Sequence, residues 1–210
     1  MTTLENDYLK VNISSIGAEL VSFIDKTDGV EHMWEGDSKF WPRKAPILFP
    51  CVGESKGGQI EVGGEVFPMG RHGFARLLEF EVLSVSEREV VFELTDNGET
   101  RKSYPFSFSF RVGYKLESKS LIQRFEVVNT GGETLGFQVG GYPAFAVPFG
   151  NNGKYSDYEI KFDQNQNLER HLLSDEGLYT GEKRVVLDNE DAFGLTYDLF
   201  NEDALVFKNI

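Results

Sequence analysis

Apolar and polar residues alternate with a period of two along much of the chain. Phe106, Phe108, Phe110, Val112, Tyr114 and Leu116 alternate with Ser107, Ser109, Arg111, Gly113 and Lys115. One face of such a segment is apolar and the other polar, the pattern of a half-buried antiparallel strand. Leu121 to Asn129 continues the sheet after a turn at Glu117 to Ser120. Phe80–Val85 and Val90–Leu94 flank Ser86–Glu89 and predict a hairpin. Tyr8–Ser14 and Glu19–Ile24 predict another around Ile16-Gly17-Ala18. Gly63-Gly64 between Ile60–Val62 and Glu65–Phe67 predicts a third, because a two-residue turn needs positive φ. Helical spacing is confined to one turn at Ser38–Trp41, which Pro42 interrupts. Short strands separated by turn signals predict an all-β, antiparallel sandwich or barrel.

No repeat, low-complexity tract or linker divides the 210 residues, so one domain over 1–210 is expected. Strand patterns return at Tyr158–Phe162 and at Leu205–Phe207, beyond a polar loop at Gly150–Ser156. Asp203 to Ile210 reads as a strand that runs to the last residue. A final strand with no partner after it leaves a bare edge, so further C-terminal strands are expected.

Composition narrows the function. The chain is 40% hydrophobic and holds 18 Phe, which suits a packed core rather than disorder. A domain of this size buries roughly 70% of its unfolded surface. Lys and Arg number 21 against 34 Asp and Glu, a net charge of −13. That balance excludes nucleic acid and anionic membrane surfaces as expected partners and favours a small or neutral ligand. Cys51, the single cysteine, excludes an internal disulfide and a thiolate-rich zinc site, and reads as a buried apolar thiol. The N-terminus lacks a basic patch and an apolar stretch of the secretory kind, and no uncharged apolar run approaches the roughly 20 residues of a membrane helix. A cytoplasmic location is expected. Nothing in the sequence sets an oligomeric state.

Several segments carry candidate chemistry. Gly53-Glu54-Ser55-Lys56-Gly57 matches the G-x-S-x-G pattern, but that pattern activates a serine only on a strand-to-helix turn. The residues that follow are hairpin-like, so a glycine-rich turn is expected. Of the three histidines, none is spaced with another as a metal pair would be. His171 lies among charged residues and reads as a solvated loop residue; His32, beside Met33-Trp34, reads as a packing residue. His72 stands in Gly70-Arg71-His72-Gly73-Phe74-Ala75-Arg76. Its glycine neighbours admit close approach of a ligand, and equally a turn with a satisfied polar side chain. Arg43 lies in Phe40-Trp41-Pro42-Arg43-Lys44-Ala45-Pro46, where aromatic faces and a guanidinium suit a sugar and equally a structural loop. Gly140-Gly141-Tyr142-Pro143-Ala144-Phe145 is a further punctuated strand end, the kind of place where sites form on a rigid sheet.

Together, WPRKAPILFPCVG, RHGFAR, SYPFSFSFRVGYKL, VGGYPAF and NEDALVF resemble the aldose 1-epimerase (galactose mutarotase-like) family, above all its LacX-like branch and the related hexose-6-phosphate epimerases. The resemblance implies an antiparallel supersandwich and an isomerase that interconverts the α and β anomers of a hexose or hexose phosphate. A base takes the anomeric proton, an acid protonates the ring oxygen, and no cofactor is required. It implies that His72 positions and polarises the sugar, that Arg43 and Arg76, with Arg71 beside them, line the pocket, and that Asp203 holds sugar hydroxyls. Two departures stand out. The family's Gly-Gly-His-Pro acid is replaced by Tyr142; a phenol, of reference pKa about 10, is protonated at pH 7 and can still donate, so Tyr142 is the candidate catalytic acid, but a poorer one than an imidazole. The family's glutamate base lies beyond NEDALVF, and no glutamate of this chain corresponds to it. A lesser departure is Glu54, where LacX-like relatives often carry Arg. A non-catalytic carbohydrate-binding relative is the alternative that these departures imply.

Overall fold

The computed structural model describes residues 1–208 and 210. Antiparallel strands dominate, and the helical segments among the described residues are short 3₁₀ turns. None is long and apolar enough to cross a membrane. The chain forms two compact units, Met1–Ala146 and Val147–Ile210.

The first unit carries two four-stranded sheets. Strands β1 (Thr2–Glu5), β2 (Leu9–Ile13), β3 (Leu20–Asp25) and β4 (Val30–Glu31) pair in sequence order. A short β5 (Ile47–Leu48) follows, then a hairpin of β6 (Gln59–Val62) and β7 (Glu65–Pro68). Its two-residue turn, Gly63-Gly64, has φ of 60° and 87°, the geometry that glycine makes easy. The second sheet is a meander of β8 (Glu81–Val85), β9 (Glu89–Thr95), β10 (Phe108–Glu117) and β11 (Ser120–Asn129). A two-residue β12 (Gly140–Gly141) pairs with β5.

The period-two pattern does the work expected of it. Phe108, Phe110, Val112, Tyr114 and Leu116 of β10 are buried, whereas Lys115 and Glu117 are exposed. They share one core with Leu4, Val11 and Ile13 of the first sheet. Phe49, which follows β5, is wholly buried and stacks on Phe110 with ring centroids 4.4 Å apart. It also meets Phe74, Tyr104 and Phe108 edge-on. Burying one such ring stabilises the fold by about 1.5–3 kcal/mol. The loop after β5 is thereby anchored at the centre of the core.

The second unit is a long, irregular hairpin of β13 (Glu159–Leu173) and β14 (Tyr179–Gly194). Three expectations change here and nearby. The strand predicted over Asp203 to Ile210 reduces to one bridge, Val206 to His171, after a 3₁₀ turn at Tyr197–Phe200; Asn209 lies outside the described residues. A left-handed residue at Asp203, φ 64°, breaks the extended path at its start. His171, expected in a solvated loop, sits on β13 with its ring 5.8 Å from that of Tyr179. Cys51 is half-buried rather than buried, and burial raises its thiol pKa. The Ser38–Trp41 turn consists of bonds from the Phe40 and Trp41 N–H groups to the Asp37 carbonyl.

Candidate functional site

Two distant stretches of sequence are stitched together around Phe49. The N–H groups of Phe74 and Ala75 both donate to the Phe49 carbonyl at 3.1 Å. Gly73 bridges to Phe49 at φ +69°, and a Cβ at Gly73 would overlap the Phe49 carbonyl group. Only glycine allows this approach. The same contact fixes the neighbouring His72 in a left-handed conformation, φ 66°. That conformation disfavours a residue with a side chain. Two bonds hold it: His72 N–H donates to the Gly53 carbonyl at 2.8 Å, and Gly53 N–H donates to His72 Nδ1 at 3.0 Å.

The second bond settles the tautomer. Nδ1 is an acceptor, so the imidazole proton sits on Nε2. Burial, then the charges of Arg76 and Arg71, lower the His72 pKa, while Glu54 opposes them. The imidazole is neutral at pH 7. It offers one donor, Nε2–H, and no open basic nitrogen.

The pairing of β5 with β12 brings in a third stretch. Beyond the Gly141–Ile47 pair, Tyr142 N–H donates to the Pro46 carbonyl at 3.1 Å, and Ala144 N–H to the Lys44 carbonyl at 2.7 Å. Residues 142–144 therefore run beside 44–46. A Cβ on Gly141 would stand 3.2 Å from Gln123 Oε1, so a side chain there would press on β11. Tyr142 projects about half-exposed, at 47%. Its ring centroid lies 5.8 Å from that of His72 and 5.2 Å from that of Trp41.

The arginines meet on the flank of this group. Arg43 Nη1 donates to the Arg76 carbonyl at 3.1 Å and pairs with Glu19 Oε2 at 3.4 Å. Arg76, on the 3₁₀ turn Ala75–Leu77, donates from Nη2 to the Arg71 carbonyl at 2.8 Å. Its Nε is buried and has no hydrogen-bond partner among the described residues. Burial, then the charges of Arg43 and Arg71, lower the Arg76 pKa. Arg71 is exposed and acts on His72 and Arg76 through its charge. Three cations thus stand together, with Glu19 as the carboxylate paired to one of them. Such a flank favours oxygen-rich or anionic ligands.

Asp203 belongs to the second unit, where its Oδ1 accepts the Ala204 N–H at 2.7 Å and it borders a cleft with Arg184 and Glu202. A cleft of about 550 Å³ in the first unit is lined by Cys51, Ser55, Tyr104 and Gln138, and none of Arg43, His72 and Tyr142 borders it. Ser55 precedes a 3₁₀ turn at Lys56–Gly58 that leads into β6, so the G-x-S-x-G stretch forms no strand-to-helix elbow. Asp25, Asp28 and His32 place ligand atoms within 4.8 Å of one another on the first sheet. Both carboxylates are engaged by backbone N–H groups of their own turn.

Two contributors escaped sequence reading. Glu19 is 7% exposed and holds the Arg43 loop; the signal was an acid set between Ala18 and Leu20 in an apolar hairpin. Trp41 was visible only as one of several aromatics, and its contact with Tyr142 depends on the pairing of β5 with β12.

Comparison with known proteins gives the family of the chain. The family model for aldose 1-epimerase matches residues 1–204. The plasmid-encoded protein LacX of Lactococcus lactis subsp. lactis is 33% identical over 215 residues, spanning 99% of this chain and 72% of LacX. The crystal structure of a galactose mutarotase related enzyme from Lactobacillus acidophilus superposes with a TM-score of 0.94 at 36% identity, covering 100% of this chain and 69% of that one. A galactose mutarotase-like protein from Lactobacillus casei gives 0.89 at 35% identity, covering 97% and 70%. The chain belongs to the aldose 1-epimerase family.

Proposed function

We propose that the chain binds a hexose or hexose phosphate at the patch formed by Trp41, Arg43, Arg71, His72, Arg76 and Tyr142, and interconverts its α and β anomers. The observation that carries this reading is the 5.8 Å approach of His72 to Tyr142, beside the arginine group. His72 Nε2–H donates to a sugar oxygen. The guanidinium groups donate to hydroxyls or to a phosphate. The Trp41 ring covers the C–H face of the sugar.

Tyr142 is the proposed proton donor to the ring oxygen. As that proton arrives, the C1–O5 bond breaks, and the anomeric hydroxyl loses its proton to water or to a carboxylate presented to C1. The open aldehyde turns about C1–C2. Closure forms the C1–O5 bond on the other face, returning one proton to the anomeric oxygen and one to the donor. Each step exchanges protons only, so no redox partner is involved.

Polarimetry of freshly dissolved α-D-glucose, α-D-galactose and α-D-glucose 6-phosphate tests the reading. Faster approach to anomeric equilibrium than in buffer, lost with Tyr142→Phe, is expected. A second reading, binding without catalysis, draws on His72, whose ring nitrogens are an occupied acceptor and a donor. It predicts sugar binding with no acceleration.

A further inference from the structure

We propose that Glu19 is a positioning residue for the Arg43 guanidinium, and that its two carboxylate oxygens have separate tasks. The inference rests on the reading that Arg43 contacts the sugar. Glu19 follows the Gly17-Ala18 turn that leads into β3 and is almost wholly buried. Its Oε1 accepts the backbone N–H groups of Lys44 at 2.8 Å and Ala45 at 3.0 Å. Its Oε2 pairs with Arg43 Nη1 at 3.4 Å. One oxygen fixes the path of the chain, and the other fixes the side chain.

The turn that carries Glu19 is itself clamped. Gly17, at φ +71°, packs on the backbone of Arg76, and a Cβ there would come within 2.9 Å of the Arg76 carbonyl oxygen. Gly17 N–H donates to the Leu78 carbonyl at 2.8 Å. From the core, the Tyr114 hydroxyl donates to the Ala18 carbonyl at 2.7 Å and accepts from Gln123 Nε2 at 2.7 Å. The turn therefore joins the backbone of the Arg76 segment, the Arg43 segment and the buried face of the second sheet. Arg43 needs such a hold. The positive charges of Arg76 and Arg71 stand on the same flank, and repulsion would drive a long, flexible side chain outward into water. A carboxylate in the wall offsets that repulsion and fixes one edge of the guanidinium.

Glu19→Gln separates the two tasks. The amide oxygen keeps its backbone bonds, while the amide nitrogen, a donor, replaces the oxygen that received Arg43. Affinity for D-galactose and D-glucose 6-phosphate, measured by NMR titration, is expected to fall about tenfold, the effect of losing one charge-assisted contact. The Arg43→Gln variant should lose as much, and the double variant no more than either alone. Native affinity in Glu19→Gln with weakened binding in Arg43→Gln overturns the inference and leaves the sugar site standing. Additive losses overturn it too, since Glu19 would then act elsewhere. Native affinity in Arg43→Gln removes Arg43 from the site, and the inference falls with it. If Glu19→Gln does not fold, the native chain supplies the test. Arg43 guanidinium N–H signals should be separate and slow to rotate at pH 7, and averaged signals contradict the assignment.

Discussion

Gly53 and His72 exchange a pair of hydrogen bonds: the histidine N–H goes to the glycine carbonyl at 2.8 Å, and the glycine N–H goes to the imidazole Nδ1 at 3.0 Å. This exchange turns a residue that could have been a base into a fixed donor. It also ties the ring to the backbone of a turn that lies far from it in sequence.

A pH dependence follows from it. Burial and the nearby arginines depress the His72 pKa below the ordinary imidazole value of about 6.5. The unfolded chain then binds the proton more readily than the folded chain, so the contribution to stability is complete above about pH 6.5. It is lost as pH falls through the depressed value, where protonation also breaks the bond from Gly53. Urea midpoints measured from pH 7.5 to 5 should fall more in the native chain than in His72→Gln. Equal slopes would show that the ring is not held in this way. Nitrogen-15 shifts of the ring at pH 7.5 should identify the Nε2–H tautomer.

Gly73→Ala places a methyl group on the Phe49 carbonyl at a left-handed φ. A loss of about 2–4 kcal/mol of stability is expected, from strain together with the backbone overlap. Denaturant unfolding checks it, and a change under about 0.5 kcal/mol would place the Gly73–Phe49 contact outside the folded core.

Phe49→Ala removes a wholly buried ring that stacks on Phe110. The expected cost is about 3–5 kcal/mol, the range for deleting a core aromatic. The substitution should also loosen residues 72–75, whose backbone leans on Phe49. Faster amide exchange at Phe74 and Ala75, bonded to the Phe49 carbonyl, reports that loosening.

Tyr142→Phe keeps the ring beside Trp41 and removes only the hydroxyl. Sugar affinity should stay within about threefold, while the anomerisation rate drops by roughly 10²–10⁴, the usual worth of an acid or base group. An unchanged rate in polarimetry would assign the proton donor elsewhere.

The sheets were legible because their signal is local. Phe110 to Leu116 alternates in the sequence and alternates in burial, and Gly63-Gly64 turned where a two-residue loop requires positive φ. The end of the chain misled, since Leu205-Val206-Phe207 has the composition of a strand but forms only the bridge at Val206. The candidate site was legible as residue types in three segments. Its geometry was not, because it rests on long-range contacts: the fit of Gly73 on Phe49, the pairing of Gly141 with Ile47, and the reach of Glu19 across to Arg43. No spacing encodes the tautomer of His72, which depends on the Gly53 N–H.

The claim that His72, Tyr142 and the arginines form one sugar site is tested most directly by NMR titration of the Trp41 indole N–H with D-galactose and with D-glucose 6-phosphate. In the native chain the Trp41 signal should shift saturably with at least one of the two sugars, and in His72→Gln the affinity should fall about tenfold. A Trp41 signal that neither sugar moves, or an affinity untouched by His72→Gln, would contradict it.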